Sequence, residues 1–420
     1  MAEALLLLNN LGIGGSEWKI VRIANALRRG GHDIHLAYLN APHTLRGRLD
    51  PGLPVFHLDR TGKFSFPALS RLKRYILQQQ ISHVACANLY PLLYAQAAAW
   101  QLGKRAPVVS VLINTTNFRT SRDERQMILY APLLRRATHR VFGCGLQQEQ
   151  WIDRYRLPAA NNRVIYNGVD HAHFNPAAVA ETREQLRRRY GFPLDAFIVI
   201  TVGQLRPEKQ QTDLIQAVAA LASRGRTVHA LLVGDGDERG AIERCIADLG
   251  VRDRAHLAGA ADEVRPFLKL ADAFVLTSTA VETFSNAALE AMVMGLPVIL
   301  SRIGGAAEMV EAGQNGFLYS PHDVTQLAGH IAALAGDRVL TRKMGRAAMA
   351  RVHSRFGFTQ MVDEYRALLF PAESHAMPGV EKRPRGGVQG ESGVGGDPGR
   401  QQALGARRAV RRAPAPDHGV

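Results

Sequence analysis

Two glutamates, Glu282 and Glu290, stand eight positions apart in Glu282-Thr283-Phe284-Ser285-Asn286-Ala287-Ala288-Leu289-Glu290. The apolar run Phe274-Val275-Leu276 before them reads as a strand. The stretch beyond Glu282 reads as a loop and then a short helix, stopped by Gly295 and followed by Pro297 and another strand. Backbone N–H groups at the start of such a helix, around Phe284 to Ala287, have no partner within it and form an anion site suited to a diphosphate. Glu282 lies in the loop ahead of that start and Glu290 about two turns into the helix, so the two carboxylates face different parts of a ligand lying across it. A cation, Lys209, closes Gly203-Gln204-Leu205-Arg206-Pro207-Glu208-Lys209, directly after a strand. Gly234-Asp235-Gly236-Asp237 ends the next strand, and Gly12-Ile13-Gly14-Gly15 ends the first strand of the chain. Glutamates eight apart are common. Glutamates eight apart with these glycines and this cation are not.

The elements that must position these residues alternate strictly. Leu5–Leu8 reads as a strand, Gly12–Gly15 as a turn, Glu17–Arg29 as an amphipathic helix closed by Gly30-Gly31, and Ile34–Leu39 as the next strand. Leu69–Gln80 follows as a helix, then His83–Ala87, Val108–Ile113 and Arg140–Gly143 as strands. After Asn167-Gly168-Val169-Asp170 the series restarts with Phe197–Val202, Ala230–Val233, Ala255–Leu257, Ala273–Leu276 and Pro297–Leu300. Continuously apolar strands separated by helices argue for parallel α/β sheets buried on both faces. A length of 420 residues favours two domains over one. The reading is two doubly wound lobes joined near residues 160–175, with ligands at the carboxyl ends of the strands. From Glu373 onward Gly, Pro, Arg and Gln dominate and periodicity is lost, which predicts a disordered tail.

With these residues in view, the chain resembles the retaining glycosyltransferases of family 4, whose GT-B fold pairs two Rossmann-like lobes across a cleft. The Glu282…Glu290 block matches the family's E-x7-E signature. Asn167-Gly168-Val169-Asp170…Phe174, Val202-Gly203…Lys209, Val233-Gly234-Asp235-Gly236, Gly259…Asp262-Glu263-Val264, Asp272…Ser278, Gly295-Leu296-Pro297-Val298 and Gly304-Gly305…Glu308…Asn315-Gly316 follow in the family's order. Gly14-Gly15-Ser16-Glu17 and Gly31-His32-Asp33 extend the likeness to the N-terminus. The resemblance implies an acceptor-binding lobe over residues 1–165 and a donor lobe over 166–355. It also implies a helix over 356–372 returning to the first lobe, ahead of the tail at 373–420. Glu282 would hold hydroxyls of the transferred sugar, Glu290 the ribose, and Lys209 the departing diphosphate. Phe284, Ser285, Asn286, Gly203 and Gly234 would line the nucleotide-sugar site, and Gly14 and Gly15 the diphosphate or acceptor loop. Gln204 stands where the family usually has Arg, so Arg206 is the candidate substitute. The family's His after the fourth strand is missing from Val111-Leu112-Ile113-Asn114-Thr115-Thr116-Asn117, leaving Asn114 or Asn117 for that contact.

The implied activity is transfer of a hexose-type sugar from a nucleotide-diphosphate sugar to a glycan, lipid-linked or other hydroxyl acceptor, in cell-surface polysaccharide or glycolipid synthesis. Breaking the anomeric C–O bond builds negative charge on phosphate, which a fixed cation and helix N–H groups stabilise. No cofactor or metal is expected, because Asp235-Gly236-Asp237 sits in the family's glycine turn. The alternatives are a sugar-nucleotide epimerase of the same shape and a non-catalytic two-lobed sugar-nucleotide binder. A dinucleotide oxidoreductase is disfavoured, since Gly12-Ile13-Gly14-Gly15 lacks a third glycine and no acidic residue ends the second strand.

A formal charge of +15 suits phosphate-bearing substrates and an anionic membrane surface; no nucleic-acid module is recognisable. The basic run from Arg183 to Arg189 reads as a solvated helix face that could meet lipid, and His171 and His173 as surface or acceptor-facing residues. Cys86, Cys144 and Cys245 are far apart and read as buried thiols of a reducing compartment. The expected location is the cytoplasm, peripherally at the inner face of the plasma membrane.

Overall fold

The computed structural model describes residues 3–114, 118 and 121–371; Asn117 and the segment from 373 onward lie outside them. Seven strands form the first sheet: β1 Glu3–Leu8, β2 Ile34–Tyr38, β3 Val55–His57, β4 Ile81–Ala87, β5 Val108–Ile113, β6 His139–Phe142 and β7 Asn162–Val164. They lie in the order β3-β2-β1-β4-β5-β6-β7. Six strands form the second sheet: β8 Phe197–Val202, β9 Val228–Val233, β10 Ala255–Gly259, β11 Ala273–Leu276, β12 Val298–Ser301 and β13 Gly316–Tyr319. Their order is β10-β9-β8-β11-β12-β13. Every pairing is parallel. Strand order therefore reverses between β1 and β4 in one lobe and between β8 and β11 in the other, and ligand crevices open at such points.

Leu5, Leu6, Leu7, Phe274 and Val275 have no exposed surface, because helices cover both faces of each sheet. The strands missing from the sequence reading are the short β3, β7 and β13; among the helices it leaves unnamed is Leu89–Leu102, whose apolar residues run all round it with little one-sided periodicity. The first helix spans Gly15–Arg29, two residues earlier than its charge pattern suggested.

The chain crosses between lobes twice. Val169 bridges Gly357 in parallel, with Val169 N–H donating to Phe356 (2.9 Å) and Phe358 N–H to Val169 (2.9 Å). The last helix, Phe358–Leu369, then buries Met361, Tyr365, Leu368 and Leu369 in one cluster with Ile20, Val21, Ala24 and Leu27 of the first helix. Arg22 lies over the Phe358 ring, 4.4 Å from its centre. The C-terminal helix is thus part of the N-terminal lobe's core.

Candidate active site

The loops leaving β8 and β11 meet where the second sheet reverses. Thr277 Oγ1 donates to the Lys209 carbonyl (2.7 Å) and Thr279 N–H to the Glu208 carbonyl (2.9 Å), which fixes the turn Pro207–Lys209 against the end of β11. The Lys209 ammonium in turn pairs with Glu282, whose Oε2 also accepts from Ser278 Oγ (3.3 Å). Val281, just ahead of Glu282, has a φ of +47°. That is a strained conformation for a β-branched residue, and such strain collects at functional loops. Gly304 is required beneath it, since a Cβ there would lie 2.1 Å from the Glu282 carbonyl oxygen.

The helix after this loop spans Asn286–Val293, with Ser285 as N-cap: its Oγ accepts from Ala288 N–H (3.2 Å). Ser285 therefore serves the helix, and the Phe284 ring sits in the lobe core against Tyr166 and Phe356. Phe284 also lines a cavity beside Glu282, whereas the Ser285 hydroxyl is engaged by the helix. The N–H groups of Asn286 and Ala287 donate to no described group and remain for an anion. Glu290 lies only just beyond one turn from the helix start at Asn286, not the two turns in that the sequence suggested. It is half-buried, and its carboxylate has no hydrogen bond among the described residues. Desolvation pushes its carboxyl up to about 7, against the opposing influence of Arg22.

Two adjoining cavities surround this helix start. One, of about 540 Å³, holds Glu290 together with Trp18, Lys19 and Arg22 of the first helix, Asp170 and His173. The other, of about 320 Å³, holds Glu282, Arg206, Asn114, Thr283 and Asn286. Arg206 thus does face the Glu282 cavity, whereas Gln204 is exposed and its carbonyl accepts from Gln211. Asn114 reaches the cleft from the end of β5; its carbonyl accepts from Thr283 Oγ1 (3.2 Å). Gly15 lines both cavities, while Gly14 caps the first helix beneath the folded-back Glu17 carboxylate. Gly203 and Gly234 touch neither. Gly234 has a φ of +143°, and a Cβ on it would lie 1.9 Å from the Gly203 oxygen, so this pair lets the loops after β8 and β9 stack.

Glu308 draws the lobes together. Its carboxylate accepts from the N–H groups of Gly145 (2.9 Å) and Leu146 (3.1 Å), at the start of a helix in the opposite lobe, and from Tyr166 Oη (2.8 Å). A carboxylate at a helix N-terminus is favourably placed.

Comparison with known proteins gives these residues their setting. Residues 13–173 match the family model "Glycosyltransferase Family 4" and residues 182–351 the model "Glycosyl transferases group 1". The chain belongs to the family 4, group 1 glycosyltransferases. Among curated relatives, N-acetyl-alpha-D-glucosaminyl L-malate synthase of Bacillus anthracis is 26% identical over 379 residues, covering 85% of this chain and 94% of that protein. The lipopolysaccharide core biosynthesis glycosyltransferase LpsE of Rhizobium meliloti is 32% identical over 183 residues, 44% of this chain and 52% of that one. Anabaena HepE, solved in complex with UDP, shares the fold with a TM-score of 0.77 at 23% identity, covering 87% of this chain and 99% of that structure.

Within this glycosyltransferase three features depart from the sequence reading. The basic helix Arg183–Arg189 is a solvated face only in part: Arg188 and Arg189 are exposed, but Arg187 is buried, and Arg183 and Arg187 both pair with Asp272. His171 packs against His353, with ring centres 4.1 Å apart. Lys19, at the junction of the two cavities, went unnoticed; its signal was a cation one position ahead of the apolar face of a helix that starts at the Gly-Gly turn. Asp235 is exposed and paired with Arg239 (3.6 Å), and no group of three metal-ligating side chains occurs among the described residues.

Proposed function

We propose that this glycosyltransferase moves a hexose-type sugar from a nucleotide-diphosphate sugar to a hydroxyl acceptor with retention at the anomeric carbon. The observation that carries this reading is the placement of Glu282 and Glu290 in adjoining cavities on either side of one helix N-terminus. Glu290 takes the ribose diol, Glu282 the sugar hydroxyls, and the helix start the diphosphate between them. The acceptor oxygen bonds to C1 as the C1–O bond to phosphate breaks, and the acceptor proton passes to the departing phosphate oxygen. Lys209 and Arg206 stabilise that leaving group without a divalent metal.

The acceptor is a glycan or lipid-linked alcohol of cell-surface polysaccharide or glycolipid synthesis, met at the cytoplasmic face of an anionic membrane. Supporting this, Ile128 and Leu129 are 79% and 73% exposed on the helix Met127–Arg136 of the N-terminal lobe, beside exposed Arg125, Arg135 and Arg136. Apolar side chains flanked by arginines suit an acidic bilayer surface. No helix among the described residues is long and apolar enough to cross a membrane.

The test is incubation with UDP-, GDP-, ADP- and dTDP-hexoses and a panel of glycan and lipid alcohols. Products are read by mass spectrometry and the new anomeric configuration by NMR coupling constants. Retained configuration, with activity undiminished by chelator, is expected. An inverted product, or a wild-type enzyme that consumes no nucleotide sugar, would refute the reading.

A further inference from the structure

The two cavities share four lining residues: Gly15, Lys19, Asn167 and Asn286. A donor with its nucleoside toward Glu290 and its sugar toward Glu282 must lay its diphosphate across that shared wall. Only one of the four residues carries a charge. We propose that Lys19, from the acceptor-binding lobe, binds the sugar-linked phosphate of the donor, so that the leaving group is held by cations from both lobes. This rests on the donor reading above.

Lys19 is built into its place. Its ammonium donates to Asn114 Oδ1 (2.7 Å), leaving two of its three N–H groups for a ligand. Asn114 is itself anchored, its backbone N–H donating to Asn88 Oδ1 (3.2 Å), and Asn88 adopts a φ of +73° at the end of β4. Residues following β1, β4 and β5 thus converge at the strand-order reversal of the first sheet. Among the described residues no carboxylate lies within ion-pairing distance of Lys19, whereas Lys209 already shares its charge with Glu282. Burial draws Lys19 down to about 8, partly offset by Glu17. A poorly hydrated ammonium without a counter-ion is stabilised by an arriving phosphate. Lys209 divides its charge between the Glu282 carboxylate and the leaving group, and Lys19 adds, from the other lobe, a charge that no carboxylate shares.

The experiment compares nucleoside diphosphate with monophosphate. UDP, GDP, ADP and dTDP are ranked on the wild-type enzyme by calorimetry, and the tightest is paired with its own monophosphate. Lys19→Met and Lys19→Gln should each weaken the diphosphate roughly tenfold or more while changing the monophosphate less than about twofold. Lys19→Arg should restore most of the difference. Turnover should fall with little change in acceptor KM. Equal losses for the two nucleotides would overturn the assignment, as would unchanged binding of both. A rise confined to acceptor KM would move Lys19 to an acidic group of the acceptor. A wild-type enzyme that binds none of the four diphosphates would sink the donor reading itself, a result distinct from any of these.

Discussion

Strand β11 carries a carboxylate–cation cluster at each end, and the two could hardly be finished more differently. At its start Asp272, 6% exposed, accepts from Arg183, Arg338 and Arg187 (2.7 Å), and from Ile198 N–H (2.8 Å). The guanidiniums spend their remaining donors on the carbonyls of Leu270, Ala271, Leu194, Asp195 and Ala196. Beyond its other end Glu282 has a lysine and a hydroxyl, the Glu290 carboxylate has no hydrogen bond among the described residues, and Val281 is strained. A cavity of about 500 Å³ opens beside the arginines as well, yet Arg183, Arg187 and Arg338 are already answered by Asp272 within the protein. Concentrated charge alone does not mark a site; charge left incompletely satisfied does.

If the Asp272 end is a structural clamp, breaking it should give the largest effect. Asp272→Ala strands one buried and two half-buried guanidiniums and should lower the unfolding free energy by about 3–5 kcal/mol, read by urea denaturation. The molecules that stay folded should bind nucleotide as the wild type does. A variant that melts normally would show the clamp to be dispensable.

The opposite end should respond in rate, not stability. Lys209→Ala is expected to cut turnover roughly a hundred- to a thousandfold, while the partly exposed pair with Glu282 changes stability by less than about 1 kcal/mol. Arg206, whose guanidinium faces the same cavity without a partner among the described residues, should cost about tenfold when replaced by Ala. A loss under about fivefold would make it a surface residue. Steady-state kinetics with folded variants separates the outcomes.

How far these two ends were legible in the sequence follows from what each depends on. Strand runs such as Phe197–Val202 and Ala273–Leu276 were readable because buried parallel strands are apolar throughout. Glu282 and Glu290 were readable because their spacing and flanking glycines survive in linear order. The clamp was misread, since nothing local reveals that Arg187 points at a carboxylate 85 positions away. Lys19 was missed for the same reason: its importance arises only when the first helix of one lobe meets the Asn286 helix of the other. Phe284 and Ser285 were correctly placed at the helix start, but a sequence cannot tell a backbone contribution from a side-chain one.

The smallest effect, and the finest test of the contrast, concerns Glu290. Its folded-state carboxyl is pushed up to about 7 by desolvation, from an ordinary value of 4.5. A raised acid favours the protonated form in the folded protein, so its contribution to stability is full below about pH 4.5 and is lost as pH rises through 7. The free enzyme should therefore lose stability between pH 5 and 8 through this group. Glu290→Gln, which cannot ionise, should be more stable than the wild type at pH 8 by about 1–2 kcal/mol, less than the full linkage value because the site is only half-buried. Near pH 5 the two should melt alike. Nucleotide binding should run the other way: the wild type gains affinity as its carboxylate forms through pH 7, and the Gln variant, lacking a charged acceptor for the ribose, does not. Stability and affinity would then trade against each other at a single side chain, as expected where a site is held short of full satisfaction. Chemical denaturation and calorimetry at pH 5, 6.5 and 8 on both proteins measure this. A stability difference that stays constant across that range would mean that Glu290 is well solvated, and the ligand end of β11 would be as complete as the clamp.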